Sequence, residues 1–102
     1  MTIKQLAFQI CAACKIPAHV TGFRYLVEAI EKSYYHREHL HGLTKTLYPE
    51  IAKSQNATPW AIERAIRGAI KYSGSPHTNG QFIKAAVYFI DYLSELDKED
   101  AK

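Results

Sequence analysis

The sequence predicts an all-α fold, a compact bundle of about five helices containing a helix-turn-helix. Apolar residues recur at three- and four-residue spacing along nearly the whole chain. No stretch holds the two-residue alternation of a strand long enough to build a sheet, and the punctuation consists of helix caps and Pro/Gly turns. The 102 residues suffice for one core but not two, and long polar or Gly/Ser-rich tracts are absent. Residues 1–96 are therefore expected to form a single domain, followed by an acidic, frayed tail over 97–102.

The first helix rests on Ile3, Leu6, Ala7, Ile10, Cys11 and Cys14, and Ile16-Pro17 closes it. Cys11 and Cys14 form CxxC, but inside an apolar helical stripe and with no second pair to complete a zinc site, so they read as core thiols. A second helix begins after Thr21 or Gly22, with Phe23, Leu26, Val27, Ile30 and Tyr34 on its inner face. His36, His39 and His41 follow. Their i, i+3, i+5 spacing does not bring three imidazoles onto one helical face, and no carboxylate stands out as a fourth ligand, so they read as solvated or phosphate-facing.

Ile51 to Tyr72 is the most informative stretch. Pro49 permits a short helix to start at its own position but not to run through it, Ile51 and Ala52 form the inner face, and Asn56 tolerates positive φ at a tight turn. Thr58 is an N-cap and Pro59 suits the first helical position of a helix over about 59–73. At about 100° per residue, Ile62, Ala65, Ile66, Ala69 and Ile70 form a core-facing stripe. Arg64, Arg67 and Lys71 fall within about 40° of Trp60 on the opposite face, with Glu63 at its edge. An ordinary helical hairpin with solvated charges has the same periodicity, and Gln55 and Asn56 make the turn imperfect. The clustering of two arginines with an aromatic, while the acids lie mostly elsewhere, favours a face that reads DNA. Ser73 to His77 is a connecting turn. Thr78 to Gln81, TNGQ, then has the form of a capping box opening a last helix anchored by Phe82, Ile83, Ala86, Phe89, Ile90 and Leu93.

Formal charge is only +3, but it is uneven: from Asp91 onward five acids face Lys98 and Lys102, a net −3, which leaves +6 on residues 1–90. A basic body with an acidic end is compatible with nucleic acid. No apolar run reaches the roughly 18 residues of a membrane span, and no signal-peptide pattern opens the chain, so a cytoplasmic protein without a membrane partner is expected. There is no Gly-rich phosphate loop and no recognisable Ser-His-Asp arrangement. The sequence supports neither an enzyme nor a cofactor or metal.

The segments IPAHVTGFRYLVEAI (Ile16 to Ile30), LTKTLYPEIAK (Leu43 to Lys53), IERAIRGAI (Ile62 to Ile70) and TNGQFI (Thr78 to Ile83) resemble, in order and near-spacing, the C-terminal DNA-binding effector domain of the master sporulation response regulator of endospore-forming Firmicutes. PAH-x-x-G, LYP-[acid]-IAK and ERAIR carry the resemblance, which covers most of the chain. It implies an all-helical transcription factor that binds short promoter boxes in double-stranded DNA. Glu63, Arg64 and Arg67 match recognition-helix positions. Arg64 and Arg67 can each give a bidentate pair to guanine O6 and N7, and Glu63 either accepts from a cytosine amino group or orients Arg67. Lys45, Lys53 and Lys71, with Arg24 less directly, are expected at phosphates, alongside Thr58 and Trp60 at the DNA backbone. Trp60 either wedges against sugar or a thymine methyl or swings inward onto the core.

The chain departs from its relatives at several points. It has Trp60 and Ala61 where they have Ser and Arg, and Gly68 where they have His. A longer segment, including another helix, shrinks to Ser73–His77. Only about fifteen residues precede the Ile16 match, too few for a receiver domain, so a stand-alone relative is expected. Such a protein is controlled by its expression level, by a regulatory protein partner, or by its own dimerisation, including a homodimer on DNA. The alternative is a small helical protein-interaction module that keeps the fold without DNA binding and uses Trp60 and the Tyr34-Tyr35 pair instead.

Overall fold

The computed structural model describes residues 1–100. Five α-helices run in chain order, α1 (Ile3–Ala13), α2 (Thr21–Tyr35), α3 (Tyr48–Gln55), α4 (Pro59–Tyr72) and α5 (Asn79–Asp100), and no strand is present among the described residues. The expected all-α bundle is thus the observed fold. The acidic segment is helical as far as Asp100, and Ala101 and Lys102 of the tail expected to fray lie outside the described residues.

Local chemistry sets the boundaries. Thr2 and Gln5 form a capping box at the start of α1, with the Gln5 amide donating to Thr2 Oγ1 at 3.0 Å and the Thr2 amide to Gln5 Oε1 at 2.8 Å. α1 stops at Ala13, before the expected Ile16-Pro17, because Lys15 adopts φ 68° and lets the Ile16 amide return to the Cys11 carbonyl at 3.2 Å. At α5 the expected box is present: the Gln81 amide donates to Thr78 Oγ1 at 3.2 Å and the Thr78 amide to Gln81 Oε1 at 2.9 Å.

α2 is the central element, packing against α1, α4 and α5. Its Phe23, Leu26, Val27 and Ile30 are buried as expected, and so are Gly22, Tyr25, Ala29 and Ser33. Cys11 is fully buried, and burial, reinforced by Cys14, pushes its thiol up to about 12, as befits an inert core thiol. Ser33 Oγ is buried with no hydrogen-bond partner. An unpaired buried hydroxyl is destabilising, so Ser33→Ala is expected to stabilise by about 1 kcal/mol, read as a higher urea midpoint at unchanged slope.

Two expectations are corrected. His39 is neither solvated nor phosphate-facing. Between α2 and α3 the chain forms a 3₁₀ turn (Arg37–His41) and a single π turn (Leu43–Leu47), which fold His39 inward while His36 and His41 stay exposed. The ring of His39 sits 2.9 Å from Thr46 Oγ1 through Nδ1 and 3.0 Å from Glu50 Oε2 through Nε2. Thr46 Oγ1 also lies 2.8 Å from the Gly42 carbonyl, so the hydroxyl ties the His39 ring to the turn that carries it. Burial acts to raise the carboxyl of Glu50, but the Lys32 hydrogen bond at 3.3 Å together with the charges of Lys32, His39 and His36 outweighs it and holds the group below the usual carboxylate range. The sign follows: this stabilisation is complete above the unfolded pKa of about 4.5 and is lost as pH falls through the lower folded value. Glu50→Gln is expected to flatten that part of an acid-unfolding profile followed by circular dichroism.

The second correction is Phe89, expected as an anchor of α5 but half exposed. Phe82, Ile83, Ala86 and Ile90 do anchor the helix, and Val87 takes the place assigned to Phe89. Arg37 then fastens α5 to the 3₁₀ turn through two hydrogen bonds to Asp91, at 2.8 and 2.7 Å.

Candidate nucleic-acid interface

α3, its turn and α4 build the site. Pro49 lies in the first turn of α3, and Ile51 and Ala52 are buried beneath it. The helix stops at Asn56, whose φ of 53° and ψ of 49° place it in the left-handed region, and the Ala57 amide closes back on the Ala52 carbonyl at 2.9 Å. Thr58 Oγ1 accepts from the Ala61 amide at 3.1 Å, and Pro59 enters α4. Ile62, Ile66, Ala69 and Ile70 are buried, with Ala65 half-buried beside them. This is the predicted stripe, so the opposite face of α4 is free.

Two long-range contacts seat α4, and neither is visible in local sequence patterns. Gly22 of α2 lies directly under the Ala65 carbonyl: a Cβ built on Gly22 would stand 2.0 Å from that oxygen and 2.8 Å from Ala69 Cβ. Only glycine permits so close a crossing. At the other edge Asn79, the first residue of α5, donates through Nδ2 to Tyr48 Oη at 3.0 Å and to the Glu63 carbonyl at 3.1 Å, joining α3, α4 and α5 at one side chain. Burial raises the Tyr48 phenol above its ordinary range, against the opposing effect of the Asn79 hydrogen bond.

On the free face Trp60 points outward, 67% exposed, which removes the inward alternative. The Arg64 guanidinium stacks 5.0 Å from its ring. No carboxylate lies within ion-pair distance of Arg64 among the described residues. Arg67 pairs with Glu63 at 3.1 Å one helical turn away, and its side chain stays 56% exposed. Such a surface i, i+4 pair contributes only about 0.3–0.5 kcal/mol, too little to lock the arginine against a guanine. Lys71 is exposed in the last turn.

Glu63, Arg67 and Lys71 line one wall of an open groove of about 640 Å³, faced by Leu43 and Thr44 and by the 75–80 segment. Thr44, His77 and Asn79 belong to this surface and were not read from the sequence. TNGQ announced Asn79 as part of a cap, but its second task depends on Tyr48 and Glu63. Lys45 and Lys53 are exposed, on the π turn and on α3. Arg24 is not brought to this groove. It lies 5.7 Å from the Tyr25 ring and lines a separate depression with Lys4, Phe8, Glu28 and Glu31.

No helix among the described residues is long and apolar enough to cross a membrane, and no cluster of three or more potential metal ligands occurs among them. The family described as Sporulation initiation factor Spo0A C terminal matches residues 8–82, from the second turn of α1 to the first turn of α5. That match takes in the whole helix-turn-helix and both contacts that seat its second helix, and the chain belongs to this family of sporulation-type DNA-binding regulatory domains, which are not enzymes.

Proposed function

We propose that this protein binds specific DNA sequences by inserting α4 into the major groove, as a transcriptional regulator. Arg64 and Arg67 read guanine O6 and N7, and Glu63 either accepts from a cytosine amino group or holds Arg67 in register. Lys45, Lys53 and Lys71 neutralise phosphates, and Thr58 and Trp60 abut the backbone at the entry of the helix, while Arg24, on its separate depression, takes no part. The single observation that carries this reading is the exposed Trp60-Arg64-Arg67-Lys71 face on the second helix of a helix-turn-helix, in a family of DNA-binding domains.

Selection of bound duplexes from a random pool identifies the box, and fluorescence anisotropy on that box and on random duplex then separates readers from anchors. Arg67→Ala is expected to cost about 1–3 kcal/mol on the selected box and little on random duplex. Lys53→Ala is expected to weaken both alike and to lower the slope of log affinity against log salt by about 1. If the pool yields no enriched sequence, or alanine at Arg64 and Arg67 leaves binding unchanged, the protein-interaction alternative centred on the exposed Trp60 replaces this reading.

A further inference from the structure

Trp60 is the second residue of α4 and lies on the same arc of the helix as Arg64, Arg67 and Lys71. A face that aims the arginines at base edges therefore aims the indole there too, and it is the N-terminal residues of a recognition helix that contact those edges. The base edges of the major groove are hydrogen-bond donors and acceptors with one apolar exception, the C5-methyl of thymine. Trp60 brings an apolar ring with a single N–H donor, 67% exposed. The methyl is the one base feature that such a ring can bury.

The ring is not bare in the free protein. The Arg64 guanidinium covers one face, 5.0 Å from the centroid. Once that arginine turns to a guanine, the face it leaves is an apolar surface open to water, and a methyl group covers it again. The reach of the two side chains places that methyl. They spring from one edge of α4, one turn apart, and their tips lie 5.0 Å from each other, between one and two base steps of about 3.4 Å. The base that Trp60 meets is therefore the neighbour of the base that Arg64 meets.

We infer that Trp60 reads the methyl of a thymine in the base pair adjacent to the guanine contacted by Arg64. The inference rests on the DNA-binding reading and adds a base to the backbone contact given to Trp60 there. The indole exchanges a cation for a methyl on the same face, so Arg64 and Trp60 act as one reading unit. A cytosine at the same place offers no methyl and leaves the face uncovered.

Uracil keeps the hydrogen-bonding edge of thymine and lacks the methyl, so it isolates the contact. Thymines of the selected box are replaced by uracil one at a time, and anisotropy is measured with wild type and Trp60→Ala. At one position uracil is expected to weaken wild-type binding about fourfold, the value of one buried carbon, and to leave Trp60→Ala binding unchanged. That position is expected to adjoin the guanine whose preference Arg64→Ala abolishes. The thymine-to-uracil ratio carries the test, because truncating Trp60 also frees Arg64 and shifts both affinities. Trp60 is exposed, so Trp60→Ala is expected to keep wild-type helicity by circular dichroism. If every uracil costs wild type and Trp60→Ala alike, or costs neither, the indole touches only sugar or phosphate. That result overturns the inference while the DNA-binding reading stands, and so does a Trp60-dependent thymine that does not adjoin the Arg64 guanine. A pool without enrichment removes the DNA-binding reading itself, and this inference with it.

Discussion

Replacing Gly22 with alanine is expected to destabilise the protein by about 3 kcal/mol or more, a drop in melting temperature of at least about 12 °C, or to prevent folding. The added methyl would meet the Ala65 carbonyl at 2.0 Å and Ala69 Cβ at 2.8 Å. Neither is the far end of a flexible side chain that can swing away: one is backbone and the other is rooted in it. The α2–α4 crossing must therefore open. The stripe of α4 is then no longer fully covered, and losing the burial of even one Ile there costs about 2–5 kcal/mol on the scale of truncation to alanine. Gly68→Ala is the matched control. A Cβ at Gly68 meets nothing within 4 Å, so the same chemical change in the interior of α4 is expected to stabilise by up to about 1 kcal/mol through helix propensity. Thermal melts of the two variants beside wild type check both signs together. A Gly22→Ala protein that melts with wild type would mean that the close crossing is not a feature of the folded molecule.

The Arg64→Ala/Arg67→Ala double variant is expected to lose about 2–6 kcal/mol on the selected box, roughly thirtyfold to more than ten-thousandfold in affinity, with its fold intact. The loss on random duplex is expected to be far smaller, because phosphate contacts from Lys45, Lys53 and Lys71 remain. The two arginines start from different states. On the proposed reading, Arg64 would leave the face of Trp60 to reach a base and give up a stacking contact, whereas Arg67 would exchange a charge pair with Glu63. Glu63→Gln therefore separates the two roles of the acid. If Glu63 orients Arg67, the variant lowers affinity without changing which base is preferred; if it reads cytosine, the preference at one position of the box changes. Equal loss on box and random duplex from the double variant would make both arginines phosphate contacts rather than readers.

The local half of this architecture was legible in the sequence, and the long-range half was not. Thr58-Pro59, TNGQ and Asn56 act within four residues of themselves, and each does in the fold what its side-chain chemistry dictates. The stripe of α4 is legible for the same reason, since helical period alone assigns its faces. Gly22 is silent to periodicity because its reason lies forty-three residues away, at the Ala65 carbonyl. His39 was misplaced because the 3₁₀ and π turns that carry it break the helical period, and its partners, Thr46 and Glu50, become neighbours only once those turns form. Phe89 was misplaced for the opposite reason. Its spacing is that of a core residue, but the body of the domain covers only one side of a long helix, and the apolar surface of α5 is wider than the part covered.

Asn79 stands at the root of that long helix and grips α4 by the Glu63 carbonyl, within the stretch of α4 proposed to meet duplex. A displacement of the rod would therefore strain the backbone of α4 at Glu63, and a shift of α4 would pull on the first turn of the rod. Linkage would make such a coupling reciprocal: on the proposed reading, the factor by which a ligand of the rod changes affinity for duplex is the factor by which duplex changes affinity for that ligand.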